Sequence, residues 1–398
     1  MGSFVADAPQ DDKRPVILSE AKNPERTGKN MTQEYKTAIS AVIYLASCAV
    51  RNKTPNRKKL EEKLSGMDFS LVYQAAEQHL LTAAVAYALE SAGIHDHAFT
   101  EAKAKAIRKV ALMDAEMSVI FAKMTAAGIW YMPLKGTVIK DDYPKYGMRQ
   151  MADHDILFDA DRAGDVRDIM ESCGFTTEHF GEGNHDVYFK PPVLNFEMHT
   201  ALFGKTHENS MYEYYSHMED RLLGEGCAKH FSPEDFYIYL IAHEYKHYSG
   251  GGTGLRSLLD TYVYLNKHEL DMAYVEQELE KMHIREFETE QRSLSFHLFG
   301  GEKLTEEDRR MLHYILSSGT YGTIKNNVRN QLRKKGRWGY FRSRMTLPYD
   351  MMQDKFPVLK KAPLLYPFCW AYRLIHGFIF KHDRFMYQLK AVVGFRCK

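Results

Sequence analysis

The sequence predicts an α/β protein, more closely an α+β one, in which a small mixed β-sheet is set between two helical regions. Three observations carry that expectation. From Thr32 to Gly128, apolar residues recur at three- and four-residue spacing among Ala, Leu, Glu, Lys and Met, as on amphipathic helices. From Trp130 to Thr200 the pattern shortens to brief apolar or alternating runs punctuated by Gly, Pro and Asp, which suits strands and turns. From Met211 onward the helical composition returns.

Length and composition bound the answer. The 398 residues suit two or three folded units, and 44% hydrophobic with 26% charged residues suits a chain with a sizeable core. A net charge of +1 favours no class of partner. Cys48, Cys173, Cys227, Cys369 and Cys397 are scattered without a C-x-x-C pair, which argues against a zinc ribbon or redox site and for free thiols in a cytoplasmic protein. Neither an export signal nor a transmembrane segment is expected.

In order, residues 1–30 are expected to be a disordered lead-in, with Met31 as the natural start. Residues 31–128 form a helical lobe of four helices, broken near Asn56, Asp68 and Gly93 and ending in a long helix from Phe99 to Ala127. Residues 129–205 carry the sheet, with strands at Trp130–Leu134, Met151–Phe158, Phe175–Phe180, Asp186–Phe189 and Leu194–Thr200 and a helix at Asp161–Ser172. Gly181 and Gly183 suit a hairpin turn. Residues 206–320 return to helices that pack on the core, with Thr305 as an N-cap, and 321–398 form a basic, aromatic helical segment.

Chemistry concentrates in the strand region. Side chains two apart on a strand share a face, so Asp153 and Asp155 point one way and His154 and Ile156 the other. In the last strand Glu197 and His199 oppose Leu194, Phe196 and Met198. Should the two strands be neighbours, three carboxylates converge, hard oxygen donors that suit magnesium first and manganese second; two such ions could clamp an in-line phosphoryl displacement, with Asp153 and Asp155 bridging them and Glu197 on the second. Lys135-Gly136-Thr137 sits where a strand gives way to a helix, a place where backbone N–H groups can approach phosphate and Lys135 adds charge. Lys145 and Arg149 follow in the next loop.

The stretch LKGTVIKDDYPKYGMRQMADHDILF, followed by NFEMHTALF, resembles the uncharacterised nucleotidyltransferase-like family of the polymerase-beta-type nucleotidyltransferase superfamily. The shared features are a Leu-Lys-Gly turn, a Tyr-Pro step, an Arg before Asp-x-Asp and a later acidic-x-His. The match is good from Trp130 to Phe203 and weaker in the flanking helices, including His243 to Leu265. The resemblance implies transfer of a nucleoside monophosphate from an NTP such as ATP to an acceptor: a small molecule, a protein or an RNA end. It assigns Lys135 and Gly136 to the nucleotide-phosphate turn, Asp153 and Asp155 to metal and Glu197 to the third acidic position, so that catalysis falls to these three carboxylates. Thr137, Lys145, Arg149 and His199 are read beside them, from their own chemistry, as further nucleotide-binding residues. The usual Gly-Ser pair of the superfamily is replaced by Lys135-Gly136, which leaves Thr137 as the hydroxyl that could stand in. An alternative is a non-catalytic nucleotide-binding or antitoxin-like module.

Other motifs point elsewhere. His243-Glu244-Tyr245-Lys246-His247 fits the H-E-x-x-H of zinc hydrolases, yet no third ligand is specified and Lys246 suits such a core badly; packing on the sheet or contact with nucleotide fits His243 and His247 better. Gly250-Gly251-Gly252 follows no strand, so a dinucleotide loop is not expected, and Gly204-Lys205-Thr206 lacks the earlier glycine of a phosphate loop. Arg256 and Asp260 are spaced to pair across a helix turn. Lys325 to Arg344 interleaves basic residues with Trp338, Tyr340 and Phe341, which suits a solvated helix face or a weak nucleic-acid contact. Ala362 to Phe380 is apolar but broken by Pro363 and Pro367; it suits packing on the helices, with membrane-surface contact the alternative.

Overall fold

The computed structural model describes residues 32–64, 68–178, 180–181, 183–204, 209–318 and 324–380. The expected lead-in and the start at Met31 lie outside the described residues, as do the expected unit boundaries near 205 and 320 and the chain after 380.

Five helices rather than four precede the sheet among the described residues: α1 Gln33–Val50, α2 Arg57–Leu64, α3 Phe69–Gln78, α4 Thr82–Ser91 and α5 His97–Ala126. The additional break falls at His79–Leu81, where no Gly or Pro signals it. Leu80 takes φ 54° there, and buried His79 accepts at Nδ1 from the distant Leu255 N–H at 3.3 Å. The turn closes on local bonds, from Leu80 N–H to the Glu77 carbonyl at 3.1 Å and from Leu81 N–H to that of Ala76 at 2.9 Å, with Leu80 in the left-handed position that glycine usually takes. The breaks expected at Asp68 and Gly93 are present: Asp68 caps α3 by accepting from Ser70 N–H at 2.8 Å, and Gly93 adopts φ 71°.

The sheet contains β1 Tyr131–Leu134, β2 His154–Phe158, β3 Thr176–Glu178, β4 His185–Lys190 and β5 Leu194–His199, in the order β1-β2-β5-β4-β3. Only β2 and β5 pair in parallel among these strands. A parallel pair needs a long crossover, and here α7 (Ala163–Ser172) and the β3–β4 hairpin supply it. Between β1 and β2 lies only a single helical turn, α6 (Gly136–Ile139), followed by a 3-10 turn.

Strand alternation separates two cores. Ile156, Phe158, Phe196 and Met198 face α5 and α7 and meet Val110, Met113, Ile120, Val166 and Met170. Met132, Leu134 and Leu157 join the larger core, which runs through the N-terminal helices and the helices after the sheet. The helices after the sheet are α8 Asn209–Tyr214, α9 Pro233–Gly250, α10 Leu255–Lys267, α11 Met272–Lys281, α12 Arg285–Gly300, α13 Glu306–Ser318, α14 Ile324–Met345, α15 Tyr349–Lys355, α16 Val358–Lys361 and α17 Tyr366–Phe380, and it is α8 to α13 that contribute to the larger core. Thr305 caps α13 as expected: its hydroxyl accepts from Asp308 N–H at 3.1 Å while its own N–H donates to Asp308 at 2.7 Å. The first and later helices are tied directly, since Ser47 Oγ donates to the Phe299 carbonyl at 2.5 Å and Arg51 donates to that of Gly300 at 2.8 Å. No helix among the described residues is long and apolar enough to cross a membrane.

Candidate active site

Asp155 and Glu197 are register partners on the parallel pair β2–β5. Both carboxylates are buried on the sheet face that also carries His199, and one ligand atom from each of the three lies within 4.8 Å of the others. His199 Nε2 donates to Asp155 Oδ1 at 2.9 Å and stands 3.8 Å from Glu197. Lys135, arriving from the end of β1, donates to the same Asp155 oxygen at 2.6 Å. His185 of β4 lies 3.9 Å from Glu197 on the far side.

The electrostatics follow from burial and these neighbours. Burial alone would raise the Asp155 carboxyl, but the Lys135 ammonium and the His199 ring outweigh it and hold Asp155 well below the usual carboxylate range. For Lys135 burial again opposes the charge, and Asp155, with Tyr239 and Glu197, carries its pKa above that of an ordinary lysine. Burial pulls His199 below its normal value despite the Asp155 bond, so the ring is neutral near pH 7.

The turn that delivers Lys135 is strained and tightly packed. Lys135 has φ 49° and ψ −125°, a region that costs a non-glycine residue about 1–3 kcal/mol. Gly136 beside it has no room for a side chain, because a Cβ would lie 2.1 Å from Arg149 Nη1. Arg149 is in turn fixed: Nε and Nη2 donate to the two oxygens of buried Asp260, each at 2.8 Å, and Tyr143 OH donates to the same carboxylate at 2.7 Å. The pairing expected between Arg256 and Asp260 is replaced by this one, since Asp260 faces Arg149 and Arg256 donates to the Gln150 carbonyl at 2.9 Å.

The sequence-derived site residues thus divide. Asp155, Glu197, His199, Lys135 and Gly136 gather around one point. Asp153 lies one residue before β2, half-buried, close enough to act electrostatically on Lys109 and Arg149. Thr137 is buried, its hydroxyl 2.8 Å from His154 Nδ1, and burial lowers His154 to about 3. Arg149 is engaged with Asp260, and Lys145 is exposed in the loop before it.

A further wall of the site comes from α9. Tyr239, His243 and Lys246 recur at one-turn spacing on this helix. The charges of Lys135 and Asp155 act on Tyr239 and His243, and that of Lys246 acts on His199. His243 Nε2 lies 3.1 Å from His247 Nε2. The signal for this wall was an ionisable stripe on an otherwise apolar helix, within the stretch the H-E-x-x-H motif had singled out. Glu244 belongs to another environment: it accepts from Gln291 at 2.6 Å inside the helical core, not the place of a base beside a metal on the two histidines.

Two carboxylates and an imidazole at this spacing are a suitable donor set for a divalent cation. The buried His199 Nδ1 and Tyr239 hydroxyl have no hydrogen-bond partner among the described residues, as fits groups that meet a bound ion or ligand. A family model described as an uncharacterised nucleotidyltransferase matches residues 65–300, more than half of the chain, from α3 through α12. No curated protein and no solved structure matches.

Proposed function

This chain belongs to the uncharacterised nucleotidyltransferase family, and from that premise we propose that it moves a nucleoside monophosphate from an NTP such as ATP to an acceptor hydroxyl or phosphate, with pyrophosphate leaving. The observation that carries the reading is the register pairing of Asp155 with Glu197, which brings His199 and Lys135 to the same point.

Asp155, Glu197 and His199 would hold a divalent cation, with Asp153 at the strand's entrance as a further oxygen donor. Such a cation neutralises phosphate charge and orients the attacking and leaving oxygens of the displacement. An imidazole among the carboxylates favours Mn2+ over Mg2+, which prefers an all-oxygen shell. Lys135 places a fixed positive charge beside Asp155, while Tyr239, His243 and Lys246 form the opposite wall and orient the triphosphate. Gly136 and Arg149 hold the turn in shape. Catalysis rests on positioning and charge stabilisation by groups that are already arranged. The reading places the protein in the cytoplasm, where NTP is available.

A second reading, a nucleotide-binding module without turnover, is favoured by one contact: the Lys135 ammonium already occupies the Asp155 oxygen that a cation would take. One experiment separates the two. The full chain is incubated with each α-labelled NTP, Mg2+ or Mn2+ and cell lysate, and label is followed into small-molecule, protein and RNA fractions alongside pyrophosphate release. Label in one fraction, lost in Asp155→Asn and Glu197→Gln, is the expected result. NTP binding without pyrophosphate release under either ion would leave only the binding module.

A further inference from the structure

We infer that α17 and the basic segment ahead of it bind the surface of an anionic membrane, lying in the headgroup plane without crossing it. One side of α17 is fixed to the protein: Tyr366 OH donates to the Leu347 carbonyl at 3.4 Å, and Trp370 Nε1 and Arg373 Nη2 donate to that of Met345, each at 2.7 Å. These three residues, at i, i+4 and i+7, define one face of the helix.

The opposite face is where a solvated helix carries polar side chains. Here it carries Phe368, Tyr372, Ile375 and Ile379, exposed by 73, 50, 58 and 61%, with Leu364 at 91% in the turn just before. An exposed apolar stripe of this length marks an interaction surface. Its 15 described residues, at about 1.5 Å per residue, cover less than a hydrocarbon core about 30 Å thick.

Charge selects the occupant. Between Asp354 and Asp383 the sequence has no acidic residue and five basic ones, of which Arg373 is held on the fixed face and Lys355, Lys360, Lys361 and Lys381 flank the stripe in sequence. Lys360 and Lys361 are exposed at the start of the stripe. An apolar face flanked by lysines suits anionic headgroups, which attract the cations while the acyl boundary takes up the aromatic and aliphatic side chains. A second copy of the chain would instead oppose like charges. Single-stranded nucleic acid would satisfy the lysines but leave Leu364, Ile375 and Ile379 without partners, since bases stack on aromatic rings.

The full chain is tested by flotation with phosphatidylcholine vesicles, with and without about one-third phosphatidylserine, a fraction chosen to give a strongly negative surface. Binding to the anionic vesicles alone is expected. Phe368→Glu with Ile375→Glu should lower the bound fraction at least tenfold, and Lys360→Gln with Lys361→Gln should weaken it and its salt dependence, with unchanged circular dichroism and thermal midpoint in both. No flotation with anionic vesicles overturns the proposal. So does a wild-type dimer by light scattering that the glutamate pair dissolves without lipid, or retention of single-stranded RNA instead of vesicles. If the glutamate pair fails to fold, Phe368→Ser alone provides the reading.

Discussion

The Arg149 guanidinium occupies the space that Gly136 leaves open, with Nη1 2.1 Å from where a Cβ would stand. A flexible arginine would step aside, but this one is held at both ends of its fork by Asp260. Gly136→Ala is therefore expected to displace Arg149 or the Lys135 turn and to destabilise the fold by about 1–3 kcal/mol, as overpacking does. The check is a lower urea midpoint together with weaker NTP binding. An alanine variant that matches the wild type in both would mean that Arg149 moves freely.

Asp260→Asn preserves size but leaves the Arg149 charge buried with its best partner gone. Removing one member of a buried pair costs about 3–5 kcal/mol, and here Tyr143 loses a charged acceptor as well. Chemical denaturation should show a loss of that order, smaller when Arg149→Met is made at the same time. A loss in the single variant no larger than that in the double would count against the pair as the anchor of the turn.

How far the sequence went is clearest from such contacts. Strand period paired Asp153 with Asp155 on one strand and Glu197 with His199 on another, and left open whether the two strands meet; the structure makes β2 and β5 parallel neighbours in register and leaves Asp153 just outside β2. What local pattern could not reveal depends on partners far along the chain. Asp260 is read naturally as a partner of Arg256 one turn away, because nothing local announces Arg149. The break at His79–Leu81 puts Leu80 in the left-handed position where glycine is usual, so no turn residue announces it, and buried His79 meets Leu255 there. The α9 wall was visible only as a histidine motif with a familiar but inapplicable meaning.

That motif has its own test in Glu244. Burial raises its carboxyl well above the usual range, so the folded state holds a proton that the unfolded state, with a pKa of about 4.3, releases. The folded form binds more protons, so wild-type stability declines as pH rises above about 4.3 until the raised folded pKa is passed. Glu244→Gln carries no such proton. Its stability relative to wild type is expected to improve across that window, with retained NTP binding, whereas the same substitution of a catalytic base beside a histidine-bound metal would abolish activity at every pH. Urea midpoints at a series of pH values provide the measurement.

Lys135 gives the sharpest division within the site, because its ammonium and a divalent cation would compete for the same Asp155 oxygen. Lys135→Met removes that competitor but also removes the positive charge proposed for the phosphates. Calorimetry on the full chain should then show two opposite changes, tighter Mn2+ binding and weaker NTP binding. Asp155→Asn and Glu197→Gln should lose both, and His199→Asn, which removes a proposed ligand, should lose more Mn2+ affinity than the about 10–100-fold that follows from altering a ligand's outer partners. Asp153→Asn, at the rim and not in the buried trio, should lose less than His199→Asn. The reverse order would move the cation toward Asp153 and make the spacing of Asp153 and Asp155, rather than the pairing with His199, the feature that holds it.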